Sequence, residues 1–283
     1  MGTNPYSEQR LLIAHALDAI GDAHFALAGS GAIREHGLIT RGTQDVDLFT
    51  VAEAIDRFPR AVSTLVDHLS NRGYHVMIRR QNPTFSELAV TTPAGTDLQV
   101  DLGIDWRAHA PAHLEIGPVL DLEDAVGNKL AALYSRGYSR DYLDVDAIRS
   151  TGIFTDTQLI ELLQQRDKGY DREYFTQCLR CARRLTVREV ADYGIDATQL
   201  REIQRRFVAW ADNIDDQRGD MSPGMREVLR VIPHSRLPTR STPPPMPTHG
   251  PTPAQPAPAL ERAPDPCAYS PESWKPEAGP AQP

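Results

Sequence analysis

The chain is short of cysteine, of aromatic residues and of long apolar runs. Three cysteines in 283 residues are too few for a disulfide framework, and Cys267 sits in a proline-rich stretch, so a reducing cytosol is the expected compartment. Cys178 and Cys181 form one C-x-x-C inside an arginine-rich helical pattern, with no second pair; they are expected to pack as small side chains, not to hold zinc. No apolar run approaches the length of a membrane span, and the N-terminus lacks the basic-then-apolar layout of a signal peptide. A soluble cytoplasmic protein with no membrane partner is expected. Positive charge is in deficit as well: a net charge of −8 argues against a general nucleic-acid coat, though not against a local basic face. One such face lies between Arg166 and Arg206, where Arg180, Arg183 and Arg184 lead a run of basic residues. It reads either as an RNA-binding surface or as a solvated helical surface with mixed ion pairs. His109 and His113 are spaced i, i+4, but Pro111 between them argues against a helix, and neither takes a metal role.

What is present is concentrated in two stretches. In the first, an apolar strand over 24–28 runs into Gly29-Ser30-Gly31, a short helix follows, and a second strand over 44–50 carries Asp45 and Asp47. Strand side chains alternate faces, so the two aspartates point the same way, about 6 to 7 Å apart at their Cα atoms. Val46, Leu48 and Phe49 are expected to bury the opposite face. Two carboxylates so placed suit Mg²⁺, which takes hard oxygen ligands and completes its coordination with substrate phosphates. The Gly29-Ser30-Gly31 turn supplies free backbone N–H groups at a helix start, which favour phosphate. The bland alternative is a pair of solvent-facing residues on an edge strand.

Around these stretches the chain divides by pattern. A helix capped by Ser7 runs to about Ile20, another opens at Pro59 and ends at Asn71-Arg72-Gly73, and strands are expected over 74–80, 85–91 and 97–104. In the last of these Leu98, Val100 and Leu102 face the core, so Asp101 faces the other way. From Asp121 onward the pattern is helical, with helices over 121–136, 139–150, 157–166, 172–185 and 197–210. From Pro233 the composition changes, holding sixteen of the 23 prolines, and the segment cannot bury enough apolar surface to offset its ordering entropy. The expected division is therefore 1–115, a metal and nucleotide lobe; 116–232, a helical lobe; and 233–283, a disordered tail.

The Gly-Ser turn followed by Asp-x-Asp on the next strand resembles the signature of the DNA polymerase β type nucleotidyltransferase superfamily. The second stretch narrows this. Asn128-Lys129-Leu130-Ala131-Ala132-Leu133, Arg136-Gly137 and Arg140-Asp141-Tyr142-Leu143-Asp144 resemble the K-x-x-A-L, R-G and R-D-x-x-D elements of the AbiEii-like nucleotidyltransferase toxins, which include the mycobacterial MenT group. The resemblance covers most of residues 20–150. It implies an α/β (α+β) bilobed protein with a mixed-sheet N-terminal lobe and a helical C-terminal lobe. A third carboxylate on a neighbouring strand is part of what the superfamily implies, and Asp101 is the best-placed candidate, its alternative being a surface aspartate near a strand end. Three acids so crowded would repel one another without Mg²⁺.

Lys129 lies on a helix whose other periodic positions are apolar, so its ammonium either reaches solvent or meets an anion, of which an NTP tail is one. Asp141 and Asp144 share a helix face; one holds Lys129 or Arg136 while the other takes a proton from the attacking hydroxyl, or both are surface acids paired with Arg136 and Arg140. The family pattern gives Asp144 the more direct catalytic role, with Asp141 beside it. The resemblance further implies a toxin of a toxin–antitoxin pair that adds nucleotides, from a pyrimidine NTP (CTP or UTP), to the tRNA 3′ end and blocks aminoacylation. Its partners would be tRNA and a cognate antitoxin or neighbouring-gene product. Two other classes stay open: transfer to a protein or small-molecule hydroxyl, and a non-catalytic nucleotide-binding module. Thr43, two residues before Asp45, either terminates its loop or accepts a regulatory phosphate that would repel the triphosphate.

Overall fold

The computed structural model describes residues 5–43 and 45–219. The segment from 233, expected to be a disordered tail, lies outside the described residues, as do residues 220–232 of the helical half. Nine α-helices and seven strands occupy the described part: α1 Pro5–Ile20, β1 Ala26–Leu27, α2 Gly29–Glu35, β2 Asp45–Thr50, α3 Phe58–Ser70, β3 His75–Asn82, β4 Phe85–Thr91, β5 Asp97–Ile104, β6 Ala112–Leu114, β7 Gly117–Val119, α4 Leu122–Ser135, α5 Ser139–Ser150, α6 Asp156–Arg166, α7 Arg172–Arg180, α8 Val187–Val190 and α9 Ala197–Gly219. The architecture is α/β around one mixed sheet, with strand order β3-β4-β5-β2-β1-β7-β6. β2 runs parallel to β5 and β1 parallel to β7; the other pairs are antiparallel.

The bounds of β4 and β5 are as expected: in β5 every second residue from Leu98 is apolar, and in β4 Leu88 and Val90 keep the same period, with Ser86 in the remaining buried place. Val46, Leu48, Leu88, Val90, Val100 and Leu102 form the buried side of the sheet, in one apolar cluster with Leu12 of α1 and Leu65 and Leu69 of α3. Each such side chain contributes about 1.5–3 kcal/mol by leaving water. Phe49 is a correction: it stands two residues beyond Asp47, so the pleat puts it on the carboxylate side, where its ring lies against Gly103. Thr50 takes the buried place instead and donates from Oγ1 to the Ala23 carbonyl at 2.6 Å.

β6 and β7 have no counterpart in the pattern. They form a three-residue hairpin around Gly117, whose φ of 122° favours glycine, and β7 extends the sheet beside β1. The 115/116 division drawn from the sequence falls in the turn of this hairpin. Beyond it, Asp121 caps α4 by accepting from the Glu123 N–H at 2.9 Å, and left-handed Gly137 ends it, as a C-terminal stop requires. Tyr142 on α5 donates its hydroxyl to the Cys178 carbonyl on α7 at 2.7 Å, and Arg206 of α9 forks onto Asp146 of α5 at 2.8 and 2.6 Å. The helical half is thereby tied to α5, the helix that faces the sheet carboxylates.

Candidate active site

Asp45 and Asp47 stand on β2, and Asp101 lies opposite Asp47 on the parallel neighbour β5. Parallel strands lie about 4.8 Å apart, so cross-strand partners share a side and stand next to one another. The entry to β2 is pinned from α1, where buried Gln9 donates to the Thr43 carbonyl at 2.7 Å and accepts from Arg34 at 2.9 Å. Room for Asp47 comes from Gly29, which has φ +57°, and a Cβ there would lie 1.8 Å from Asp47 Oδ2. The first glycine of the Gly-Ser-Gly turn therefore serves both the backbone conformation and the carboxylate behind it.

The three acids are electrostatically strained together. Burial pushes Asp101 up to about 6, with Asp47, Glu87 and Asp45 adding to it against a lowering hydrogen bond from Gln99. Gln99 Nε2 reaches both Asp101 oxygens at 3.1 Å. Asp47 is also raised, chiefly by burial and further by Asp45, while Lys129, Arg136 and Arg140 pull the other way. Arg140 of α5 donates to Asp45 Oδ2 at 3.1 Å. Oxygen donors crowded on one face, two of them held above the ordinary carboxylate range, are a set that a hard divalent cation fits.

Facing them is a compact ionic cluster. Asp144 is fully buried and Lys129 nearly so. Arg41 clamps Asp144 through Nε at 2.6 Å and Nη2 at 2.7 Å, and Lys129 Nζ lies 2.9 Å from Asp144 Oδ2. Ser30 Oγ sits among all three, donating to Asp144 at 2.9 Å and accepting from Lys129 at 2.8 Å and Arg41 at 2.9 Å. Burial alone would raise Asp144, but Lys129 and the bonds from Arg41 outweigh it and hold the carboxyl below its ordinary value. The anion that Lys129 meets is thus Asp144, and the two cations leave the cluster one positive charge in excess.

Asp141, also fully buried, accepts from Arg136 Nε at 3.0 Å and Nη2 at 3.2 Å and from the Tyr138 N–H at 3.2 Å, which fixes the start of α5. The Thr43 hydroxyl accepts from the Asp45 N–H at 3.2 Å. Arg180 lies away from the cleft, shared between Asp212 and Asp215 of α9 at 2.7 Å each; Arg183 and Arg184 follow it in the turn after α7. So the structure brings Gly29, Ser30, Asp45, Asp47, Asp101, Lys129, Asp141 and Asp144 to one cleft, and Arg180 to a separate surface. Sequence reasoning missed Arg41, Gln99 and Gln9 and gave Arg140 no role beyond pairing with acids. Only Arg140 carried a signal, as the first residue of R-D-x-x-D. A second acidic group, His109, Asp121 and Asp124, brings its ligand atoms within 4.8 Å, closer together than the sheet carboxylates. Its buried member, however, is bonded to the Ala108 and His109 N–H groups at 2.8 and 2.9 Å and holds the loop before β6.

Comparison with known proteins adds the family dimension. The model for the nucleotidyl transferase AbiEii toxins of type IV toxin–antitoxin systems matches residues 10–242. No curated protein matches. Among solved structures, JHP933 from Helicobacter pylori superposes with a TM-score of 0.50 at 15% identity, over 80% of this chain and 97% of that one. MenT4, a nucleotidyltransferase toxin from Mycobacterium tuberculosis H37Rv, superposes with a TM-score of 0.51 at 14% identity, over 80% of this chain and 89% of that one. At such identities the likeness is one of fold. Among the described residues no helix is long and apolar enough to cross a membrane.

Proposed function

This chain belongs to the AbiEii nucleotidyl transferase toxin family, and on that footing we propose that it is a Mg²⁺-dependent nucleotidyltransferase acting on the 3′ hydroxyl of tRNA, with a pyrimidine NTP as donor and an antitoxin as its partner. The observation that carries the reading is the cleft itself: Asp45, Asp47 and Asp101 on paired strands, opposed by Lys129 and Arg140 from α4 and α5.

Asp45, Asp47 and Asp101 would hold the metal, which supplies charge neutralisation for the attacking and leaving oxygens when bound. The triphosphate is drawn to the side of Lys129, Arg136 and Arg140, the cations whose fields reach Asp47. Buried Asp144 does not face the acceptor; clamped by Arg41 and Lys129, it acts as a positioning residue that fixes both cations. This departs from the direct role the family pattern gives it. Ser30 locks the same three side chains, leaving backbone groups of the Gly29 turn to meet phosphate. The acceptor oxygen bonds to the α-phosphorus, the bond to the β-phosphate oxygen breaks, and pyrophosphate leaves. The hydroxyl proton passes to Asp101, which lies among Gln99, Asp47, Glu87 and Asp45 and is held above the ordinary carboxylate range by burial.

Purified protein incubated with each labelled NTP, total tRNA and Mg²⁺ tests this. Label in tRNA that disappears with EDTA is expected, strongest with CTP or UTP. Label in protein or in a small molecule would move the reading to another acceptor, and no label in any fraction would reduce the cleft to a binding site.

A further inference from the structure

The proposed reaction needs a place for the acceptor, and the sheet offers one. In-line displacement puts the entering oxygen and the leaving pyrophosphate on opposite sides of the α-phosphorus. Since the cations stand on the α4 and α5 side of Asp47, the acceptor approaches across the other side of the carboxylates, over β5, β4 and β3. Cross-strand register identifies which side chains line that route. Glu87 pairs with Asp101, Phe85 with Gly103, Arg80 with Glu87 and Asn82 with Phe85, so all of them share the carboxylate side of the sheet.

Arg80 reaches this side through an irregularity. Ile78 lies opposite Leu88, a buried core residue; without a break, Arg80 two residues later would point to the core side with it. The register shifts between Ile78 and Arg80, which is a bulge at Arg79, and Arg80 is turned onto the open side, where its guanidinium lies 4.6 Å from the centroid of the Phe85 ring. Bulges re-aim side chains in this way beside active sites. β3 is the outer strand of the sheet, exposed along nearly all its length. Between Asp67 and Glu87 the chain contains no acidic residue but has Arg72, Arg79 and Arg80, in a protein whose net charge is −8. Among the described residues neither Arg79 nor Arg80 has an ion-pair partner.

From these observations, and resting on the nucleotidyl-transfer reading above, we infer that the open face of β3 and β4, with Arg80 stacked on Phe85 at its centre, is the docking platform for the single-stranded 3′ end of the RNA acceptor. The platform lies two strand spacings from Asp101, about 10 Å. The Phe85 ring and the guanidinium plane offer stacking surfaces to the terminal bases, which any base can use. Arg79 and Arg80 meet backbone phosphate, and the carboxylates at the other end of the route receive the terminal hydroxyl.

Binding of a short fluorescent single-stranded RNA with a free 3′ hydroxyl, followed by anisotropy at several salt concentrations, tests this without requiring turnover. Arg80→Ala and Phe85→Ala are each expected to weaken binding about tenfold, and Arg80→Ala to flatten the salt dependence by about one phosphate contact. Arg80→Lys should keep the salt slope and lose affinity. Arg205→Ala, whose side chain is exposed and paired with Glu202 at 2.7 Å, should match wild type. Phe85→Leu, with thermal melts of every variant, guards against a folding defect. Undetectable binding by the wild type, or equal affinity in the wild type, Arg80→Ala and Phe85→Ala, would overturn the inference; the latter is the result if this face serves a protein partner instead. Failure of NTP transfer with these binding differences intact would count against the reaction alone.

Discussion

The two walls of the cleft are built on opposite principles. On the helical wall every ionic group is paired: Asp144 with Arg41 and Lys129, Asp141 with Arg136. On the sheet wall three acids gather with one arginine between them, and two of these acids are raised in pKa by burial and mutual repulsion. Paired buried ions define a geometry, whereas crowded like charges are tolerated because a ligand of opposite charge relieves them. The same contrast separates the two arginine-rich surfaces, with Arg180, Arg205 and Arg206 bound to carboxylates and the arginines of β3 without a carboxylate partner among the described residues.

If the contrast holds, substitutions on the two walls fail differently. Asp47→Asn should abolish transfer, a loss of several kcal/mol of transition-state stabilisation or about 10³-fold in kcat/KM or more. It should leave the melting temperature unchanged or raised, since a repelling charge is removed. Asp144→Asn should do the reverse in emphasis, leaving two buried cations short of their anion at a cost of about 3–5 kcal/mol in denaturant unfolding; a stable, fully folded Asp144→Asn protein would break the distinction.

The walls should also diverge with pH. Asp101 has a raised folded-state pKa, so the native state keeps its proton after the unfolded chain has lost its own. Stability measured in EDTA should therefore fall as pH rises from about 4 to about 6, and Asp101→Asn should flatten that fall. Asp144, held low, contributes in the opposite sense: its stabilisation is full above the unfolded value of about 4 and is lost as pH drops below it. Smallest of all, Arg180→Ala should cost under about 1 kcal/mol, because its two ion pairs are surface-exposed, and should leave RNA affinity within twofold. A loss as large as that of Arg80→Ala would erase the difference between the two basic surfaces.

Much of this was legible because the informative residues sit where periodicity is strong. Asp45 and Asp47 show their shared side in a period of two, and the alternation through Leu98, Val100 and Leu102 places Asp101 on the other face. The helices α4 and α5 announce themselves by Asp121, Gly137 and their apolar spacing. Where periodicity is short or broken, reading fails. Three-residue strands such as β6 and β7 have no alternation to show. The bulge that turns Arg80 over leaves no mark in composition. Arg41 lies in a loop, and its partner Asp144 is 103 residues away, a contact that only the folded chain reveals. Phe49 was a misapplied parity, since the same period that aligned the aspartates puts it beside them.

The central claim is transfer of a nucleotidyl group at the sheet carboxylates, and the most direct measurement compares NTP labelled at the α-phosphate with NTP labelled at the γ-phosphate, using wild type and Asp47→Asn with tRNA and Mg²⁺. The account predicts that wild type moves the α-label onto the RNA, that the γ-label leaves as pyrophosphate, and that Asp47→Asn moves neither. Transfer of the γ-label to the acceptor, or undiminished α-transfer by Asp47→Asn, would contradict it.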